Sequence, residues 1–225
     1  GSGEAVTEKK KKVCISGNPV MMTDNMTETG RALARFGFSP DQRVILVLGG
    51  SQGAEAINRH IAGRIEWYST QKDTGLLWQC GSRNLPKYTH YDSVENSVRV
   101  LGFIEGIADA YAACSAIVAR AGALTISELA IVGKPSILVP LPTAAANHQL
   151  YNARSYANTG AAVVVQEHEL PEGVLESELT DILQNKQRYE TMARSAVQAA
   201  RPDATRIIVN DIVKLAGWTS HVSEV

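Results

Sequence analysis

The sequence predicts an α/β domain with a parallel sheet and helices on both faces, and three observations carry that prediction. From residue 43 onward, short β-branched runs alternate with stretches of helical period, the pattern of successive βαβ units. The stretch 43–48 reads as apolar on both faces, as a central strand of a parallel sheet must be. Glycine-containing or polar turns follow several of the strands, at the carboxyl ends where open α/β sheets hold ligands.

Taken in order, the chain opens with Gly1-Ser2-Gly3, which resembles a cloning scar, and a lysine run at Lys9–Lys12 that reads as a solvated flank rather than a targeting signal. Residues 1–11 are expected to be a disordered flank. Residues 12–42 read as an arriving linker: a strand at Val13–Ser16 ending in Gly17-Asn18-Pro19-Val20, then a short helix near Glu28–Arg35. The main domain is expected over 43–200. Its strands are predicted at Arg43–Leu48, Gly75–Gln79, Ser97–Leu101, Ala116–Ala119, Pro135–Val139 and Ala161–Val165. Helices are predicted at Ala54–Tyr68, Ile107–Cys114, Leu124–Val132 and Gln149–Asn158, followed by Glu172–Gln184 and Gln187–Ala200. Residues 201–225 form a closing helix, Asp203–Leu215, and a tail, with Pro202 as punctuation.

Composition narrows the function classes. Of the 225 residues 44% are apolar and 20% charged, enough to bury a core within one large domain. Lys and Arg total 22 against 23 Asp and Glu, so the net charge of −1 supplies no field for a nucleic-acid backbone, and no nucleic-acid partner is expected. Apolar runs such as Val44–Leu48 stop at five residues, far short of the roughly 20 that a spanning helix needs. The three cysteines, Cys14, Cys80 and Cys114, are odd in number and widely spaced, which fits a reducing cytoplasm better than a disulfide framework. No His, Cys, Asp or Glu spacing matches a metal site, and no cofactor is expected.

Three turns could carry chemistry. Gly49-Gly50-Ser51-Gln52-Gly53-Ala54 lies between the most apolar strand and a helix, where backbone N–H groups can hold a phosphate. It meets neither the dinucleotide fingerprint nor the Walker loop. It does satisfy G-x-S-x-G, so a serine hydrolase with Ser51 as nucleophile stands as a rival, drawing on His148, His168 or His221 and on Asp181 or Asp203. The second turn, from Arg120 through Ala123, Leu124 and Thr125 to Glu128, offers a helix start to an anion and a carboxylate to a ribose diol. Thr125-x-x-Glu128 is equally a capping box, and local sequence leaves both readings open. In the third, Asn147 is a plausible N-cap that places His148 and Gln149 in a first helical turn, suited to sugar hydroxyls.

The combination GGSQGA, RAGALTISE, NHQLYNA and the terminal PDAT helix resembles the carboxyl-terminal half of the MurG family of glycosyltransferases, over residues 13 to about 215. That family moves N-acetylglucosamine from UDP-N-acetylglucosamine to a lipid-linked muramoyl-pentapeptide in peptidoglycan synthesis, and so serves the cell wall and cell division. The resemblance implies a Rossmann-like half of a GT-B fold, inversion at the anomeric centre and donor binding without a metal. It implies UDP or UDP-N-acetylglucosamine as ligand of the 43–200 domain. Gly50, Ser51 and Gly53 would lie near the donor phosphates, which Ala123, Leu124 and Thr125 would hold at a helix N-terminus. Glu128 would bind the ribose, and Phe103, Ile104 and Ile107 the uracil, Ile104 through its backbone. His148, Gln149 and Asn152 would face the sugar.

Two residues depart from the family pattern: Met21 stands where an arginine follows Gly-Asn-Pro-Val, and Ala146 where many relatives are acidic. The acceptor-binding half has no counterpart here, so the catalytic residues and the lipid-linked acceptor's site are expected in that missing half, and the chain is an excised domain or half of a split enzyme. The whole enzyme would work as a peripheral protein at the cytoplasmic face of the inner membrane. Two alternatives keep the donor half: a MurG-like transferase with another lipid acceptor, and a UDP-sugar-binding subunit without activity.

Overall fold

The computed structural model describes residues 14–20, 27–49, 54–71 and 73–218. Six strands, β1 (Arg43–Leu48), β2 (Thr74–Gln79), β3 (Val98–Leu101), β4 (Cys114–Ala119), β5 (Ser136–Leu138) and β6 (Ala162–Val164), form one all-parallel sheet in the order β3-β2-β1-β4-β5-β6. Ten helices accompany them: α1 (Thr29–Arg35), α2 (Glu55–Gly63), α3 (Ile65–Thr70), α4 (Leu85–Tyr88), α5 (Ile107–Ala113), α6 (Ala123–Val132), α7 (His148–Ala157), α8 (Val174–Gln184), α9 (Lys186–Ala199) and α10 (Ala204–Leu215). Short 3₁₀ turns lie at Thr89–Tyr91, Ala145–Asn147 and Glu167–Glu172.

β1 shows why its sequence is apolar throughout. Val44, Leu46 and Leu48 join a core with Leu33, Tyr111, Leu129 and Ala196, on the side of α1, α5, α6 and α9. Ile45 and Val47 point the other way, into a core with Ile57, Ile61, Trp78, Leu175 and Leu179 from α2, β2 and α8. A strand buried on both faces cannot alternate with polar residues.

The chain leaves β1 for α2 on one face and β4 for α6 on the other. Strand order reverses between these neighbours, which opens a crevice at their carboxyl ends. Buried Asn58 of α2 fixes that rim: its Nδ2 donates to Cys80 O and its Oδ1 accepts from Trp78 Nε1, each at 2.8 Å.

Two sequence expectations need correction. The helix expected over Ala54–Tyr68 is two, broken at Arg64, whose backbone leaves helical geometry (φ −116°) while its guanidinium donates to Pro171 O at 3.3 Å. The strand expected at Val13–Ser16 does not form over its described part, Cys14–Ser16. That segment belongs to a strap. Asn18 Nδ2 donates to Ala123 O (3.2 Å) and Ser127 Oγ (2.9 Å) on α6, and Gly17, at φ +86°, sits against Arg201 and Ala204. Among the described residues no helix is long and apolar enough to cross a membrane.

Candidate functional site

A cleft of about 350 Å³ lies at the strand-order reversal. Leu48, Gln79 and Ala119 line it from the ends of β1, β2 and β4. Phe103 and Ile104 line it from the turn after β3, Ile107 and Tyr111 from α5, and Arg120, Thr125 and Glu128 from the β4–α6 turn and α6. A larger hollow of about 460 Å³ among Asp41, Arg43, Trp67 and Asp73 adjoins the amino-terminal ends of β1 and β2, opposite the end where this architecture holds ligands.

Gly49, directly after β1, is required by close approach. Its N–H donates to Gln79 O at 2.9 Å, and a Cβ there would fall 2.7 Å from the same oxygen. Gly50, Ser51 and Gly53 lie outside the described residues, as does Met21.

The start of α6 excludes the capping-box reading of Thr125 and Glu128. Gly122, extended at φ −66° and ψ 147°, precedes the helix and its carbonyl accepts from Ile126 N at 3.0 Å. Thr125 is therefore the third helical residue and not the N-cap, and the capping box does not form. Ala123, Leu124 and Thr125 supply the first-turn N–H groups, which have no acceptor within the helix. Glu128, freed from capping, accepts from the Tyr111 hydroxyl at 3.1 Å. Burial first, and then the Glu128 charge, pushes the Tyr111 phenol well above its ordinary range, so it remains a donor.

Phe103 and Leu124 are exposed large apolar residues. Ile104 is buried, and its N–H already donates to Gln79 Oε1 at 3.0 Å. Any backbone recognition by Ile104 therefore falls to its carbonyl.

The third turn stands apart from this cleft. Asn147 occupies the expected N-cap position of α7 and leaves His148 and Gln149 in the first turn, but in left-handed geometry (φ +54°, next to Ala146 at +49°) and without a side-chain capping bond. His148 is exposed, its Nδ1 2.8 Å from Ala145 O. Gln149 Oε1 accepts from Leu141 N at 3.0 Å and so shapes the loop itself. Asn152 Nδ2 donates to Ala121 O at 3.2 Å, tying α7 to the turn that enters α6. None of the three lines the cleft with Glu128.

The sequence reading did not single out Gln79 or Tyr111, and it took Arg120 as the start of the second turn without giving it a role. Gln79 had a detectable signal, a polar residue closing an otherwise apolar strand. The hydrolase alternative gains nothing from the described residues: Asp181 pairs with Arg188, Asp203 pairs with Arg206, and His148 meets a carbonyl, while Ser51 and His221 lie outside them.

Comparison with known proteins places this geometry. Residues 44–207 match the glycosyltransferase family 28 C-terminal domain. The chain is 40% identical over 202 residues to the UDP-N-acetylglucosamine–N-acetylmuramyl-(pentapeptide) pyrophosphoryl-undecaprenol N-acetylglucosamine transferase of Salinibacter ruber, covering 90% of this chain and 54% of the relative. It is 36% identical over 209 residues to the enzyme of the same name in Flavobacterium psychrophilum, covering 92% and 56%. The crystal structure of Acinetobacter baumannii MurG superposes with a TM-score of 0.68 at 34% identity, over 81% of this chain and 53% of that one. The chain thus spans about half the length of the curated relatives it matches. On the family match and these relatives together, the chain belongs to the glycosyltransferase family 28 C-terminal domain family.

Proposed function

We propose that this chain is the UDP-N-acetylglucosamine-binding half of a GT-B glycosyltransferase that builds the lipid-linked peptidoglycan precursor. The observation that carries this is one cleft lined together by Phe103, Ile104, Ile107, Glu128 and Thr125, the last from the first turn of α6. That arrangement fits a nucleoside diphosphate: an aromatic and aliphatic surface for a base, a carboxylate for a ribose diol, and aligned N–H groups for phosphate. The donor's identity is taken from the relatives, which are named as UDP-N-acetylglucosamine–N-acetylmuramyl-(pentapeptide) pyrophosphoryl-undecaprenol N-acetylglucosamine transferases.

In this reading the first-turn N–H groups of Ala123, Leu124 and Thr125 stabilise the negative charge that grows on departing UDP, an electrostatic role without proton transfer. Gly50, Ser51 and Gly53 serve the same phosphates. His148, Gln149 and Asn152 reach the sugar from the α7 side, with Asn152 also holding the turn before α6. The acceptor hydroxyl, the group that activates it and the lipid contacts belong to sequence beyond this half. Inversion, metal-independent donor binding and action at the cytoplasmic membrane face are part of the same proposal.

Calorimetric titration with UDP, UDP-N-acetylglucosamine and ADP tests it. UDP and its sugar conjugate should bind, and ADP far more weakly, because a purine does not fit against Ile104 and Ile107 as a uracil does. Equal affinity for ADP, or no binding of either uridine ligand, would overturn the assignment.

A further inference from the structure

The cleft contains a cation, Arg120 at the head of the second turn, to which the reading of that turn gives no role. Arg120 directly follows β4 and lines the cleft beside Thr125 and Glu128. Its guanidinium runs along the carboxyl ends of the neighbouring strands. Nη1 donates to Val139 O, one residue past β5, at 3.1 Å, and Nη2 lies 2.5 Å from Oε1 of Glu167, at the start of the 3₁₀ turn after β6. Both side chains are mostly buried.

The contact with Glu167 is close but poorly directed: Glu167 Oε1 is buried and has no aligned hydrogen-bond donor. The attraction is therefore Coulombic, without the in-line geometry that makes arginine–oxyanion pairs strong. An anion that met the guanidinium in line, while also reaching the first turn of α6, would outcompete the carboxylate. Glu167 has an alternative environment when displaced, because it also lines a shallow hollow that holds Arg59 and Arg64.

Resting on the donor-site reading above, we propose that Arg120 is the cleft's diphosphate-binding cation and that Glu167 is its resident counter-ion, displaced by the diphosphate of the incoming nucleotide. The pair balances the charge of a largely buried guanidinium in the empty site. It also means that part of the donor's charge interaction is offset by the loss of Glu167.

The test is titration of the chain and its variants with UDP, uridine and inorganic diphosphate at low and high salt, with melting temperatures recorded alongside. Glu167→Gln should tighten UDP roughly two- to fivefold, the range for a partly screened ion pair, and leave uridine unchanged. Inorganic diphosphate should tighten likewise if Arg120 reads phosphate alone, and only UDP if the uridine is needed to place it; either pattern supports the displacement. Arg120→Met should weaken UDP by about tenfold or more while uridine stays as it was, and should erase the gain from Glu167→Gln in the double variant. The Glu167→Gln gain should shrink with salt.

Glu167→Gln weakening UDP would make Glu167 a prop for Arg120 and overturn the counter-ion role. Equal changes for uridine and UDP would reduce the pair to a structural brace and overturn both roles. Should Arg120→Met fail to fold, Glu167→Gln alone decides, since it keeps the side chain's size and removes only the charge. If the unaltered chain binds no UDP, the donor-site reading fails first, whereas normal UDP binding with an indifferent Glu167→Gln refutes this inference alone.

Discussion

Glu128 holds the Tyr111 hydroxyl and is proposed to hold a ribose, and the two roles can be separated. Its Oε2 is held by the Tyr111 hydroxyl, which belongs to a residue only 1% exposed, while the carboxylate still lines the cleft where a ribose diol would lie. Glu128→Ala should weaken UDP by about 1.5–3 kcal/mol, the usual worth of hydrogen bonds to a charged group. It should also lower stability by about 1–3 kcal/mol, because the Tyr111 hydroxyl is left buried without its acceptor. Adding Tyr111→Phe removes that orphaned hydroxyl, so the double variant should regain most of the stability and none of the UDP affinity. Melting curves and UDP titrations of the three variants check this. If affinity returned together with stability, Glu128 would be acting on the fold alone. The Thr125-x-x-Glu128 pattern could not announce this arrangement, since the helix begins two residues before Thr125 and the partner hydroxyl comes from another helix.

Among the elements, α8 pins the broken pair α2 and α3 through a single carboxylate. Glu176 Oε1 lies 2.7 Å from His60 Nε2 and accepts from the Tyr68 hydroxyl at 3.3 Å. Burial alone would raise the Glu176 pKa, but hydrogen bonding and charge from His60, with Arg64 nearby, outweigh it and leave the carboxyl below its ordinary 4.5. A carboxyl depressed in the folded state adds stability above its unfolded pKa and loses it as pH falls through the folded one. Unfolding free energy should therefore drop as pH decreases below about 4.5, and drop less steeply in Glu176→Gln, by denaturant titration at each pH. Parallel pH profiles for the two proteins would show that the carboxylate is not what couples these helices to acid. The single helix expected over Ala54–Tyr68 failed at this same place, because apolar spacing continues through Arg64 and only the contact with Pro171 reveals the break. β1 was legible to the residue, since burial on both faces leaves an unbroken apolar run. The strand expected from Val13 was not, because a β-like composition does not distinguish a sheet strand from a strap held by Asn18 against α6. Likewise the glycine turn and the stretch from Arg120 into α6 stood out as local patterns, whereas Gln79 and Tyr111 join them only through the order of the sheet.

For the whole molecule, both faces of the sheet are covered by helices and both cores are built from this chain. Every residue lining the proposed donor cleft likewise comes from this half, so nucleotide binding should survive without the remainder of the longer relatives. A ligand that binds only the folded state at about 100 times its dissociation constant adds roughly 2.7 kcal/mol of stability. For a chain of this size each kcal/mol raises the melting temperature by about 2–4 °C, so saturating UDP should shift it upward by roughly 5–10 °C. ADP at the same concentration should shift it far less, since its affinity is expected to be lower. Transfer is a different matter, because a sugar leaves UDP productively only when an acceptor hydroxyl is held at its anomeric carbon, and in the proposed reading that acceptor is held by sequence beyond this half. With UDP-N-acetylglucosamine and a lipid-linked acceptor, the chain should therefore be stabilised by the donor yet release UDP no faster than the uncatalysed background. Acceptor-dependent release of UDP by this chain alone would show that the catalytic group lies within this half, and a melting temperature indifferent to UDP would show that the cleft forms only when the other half is present.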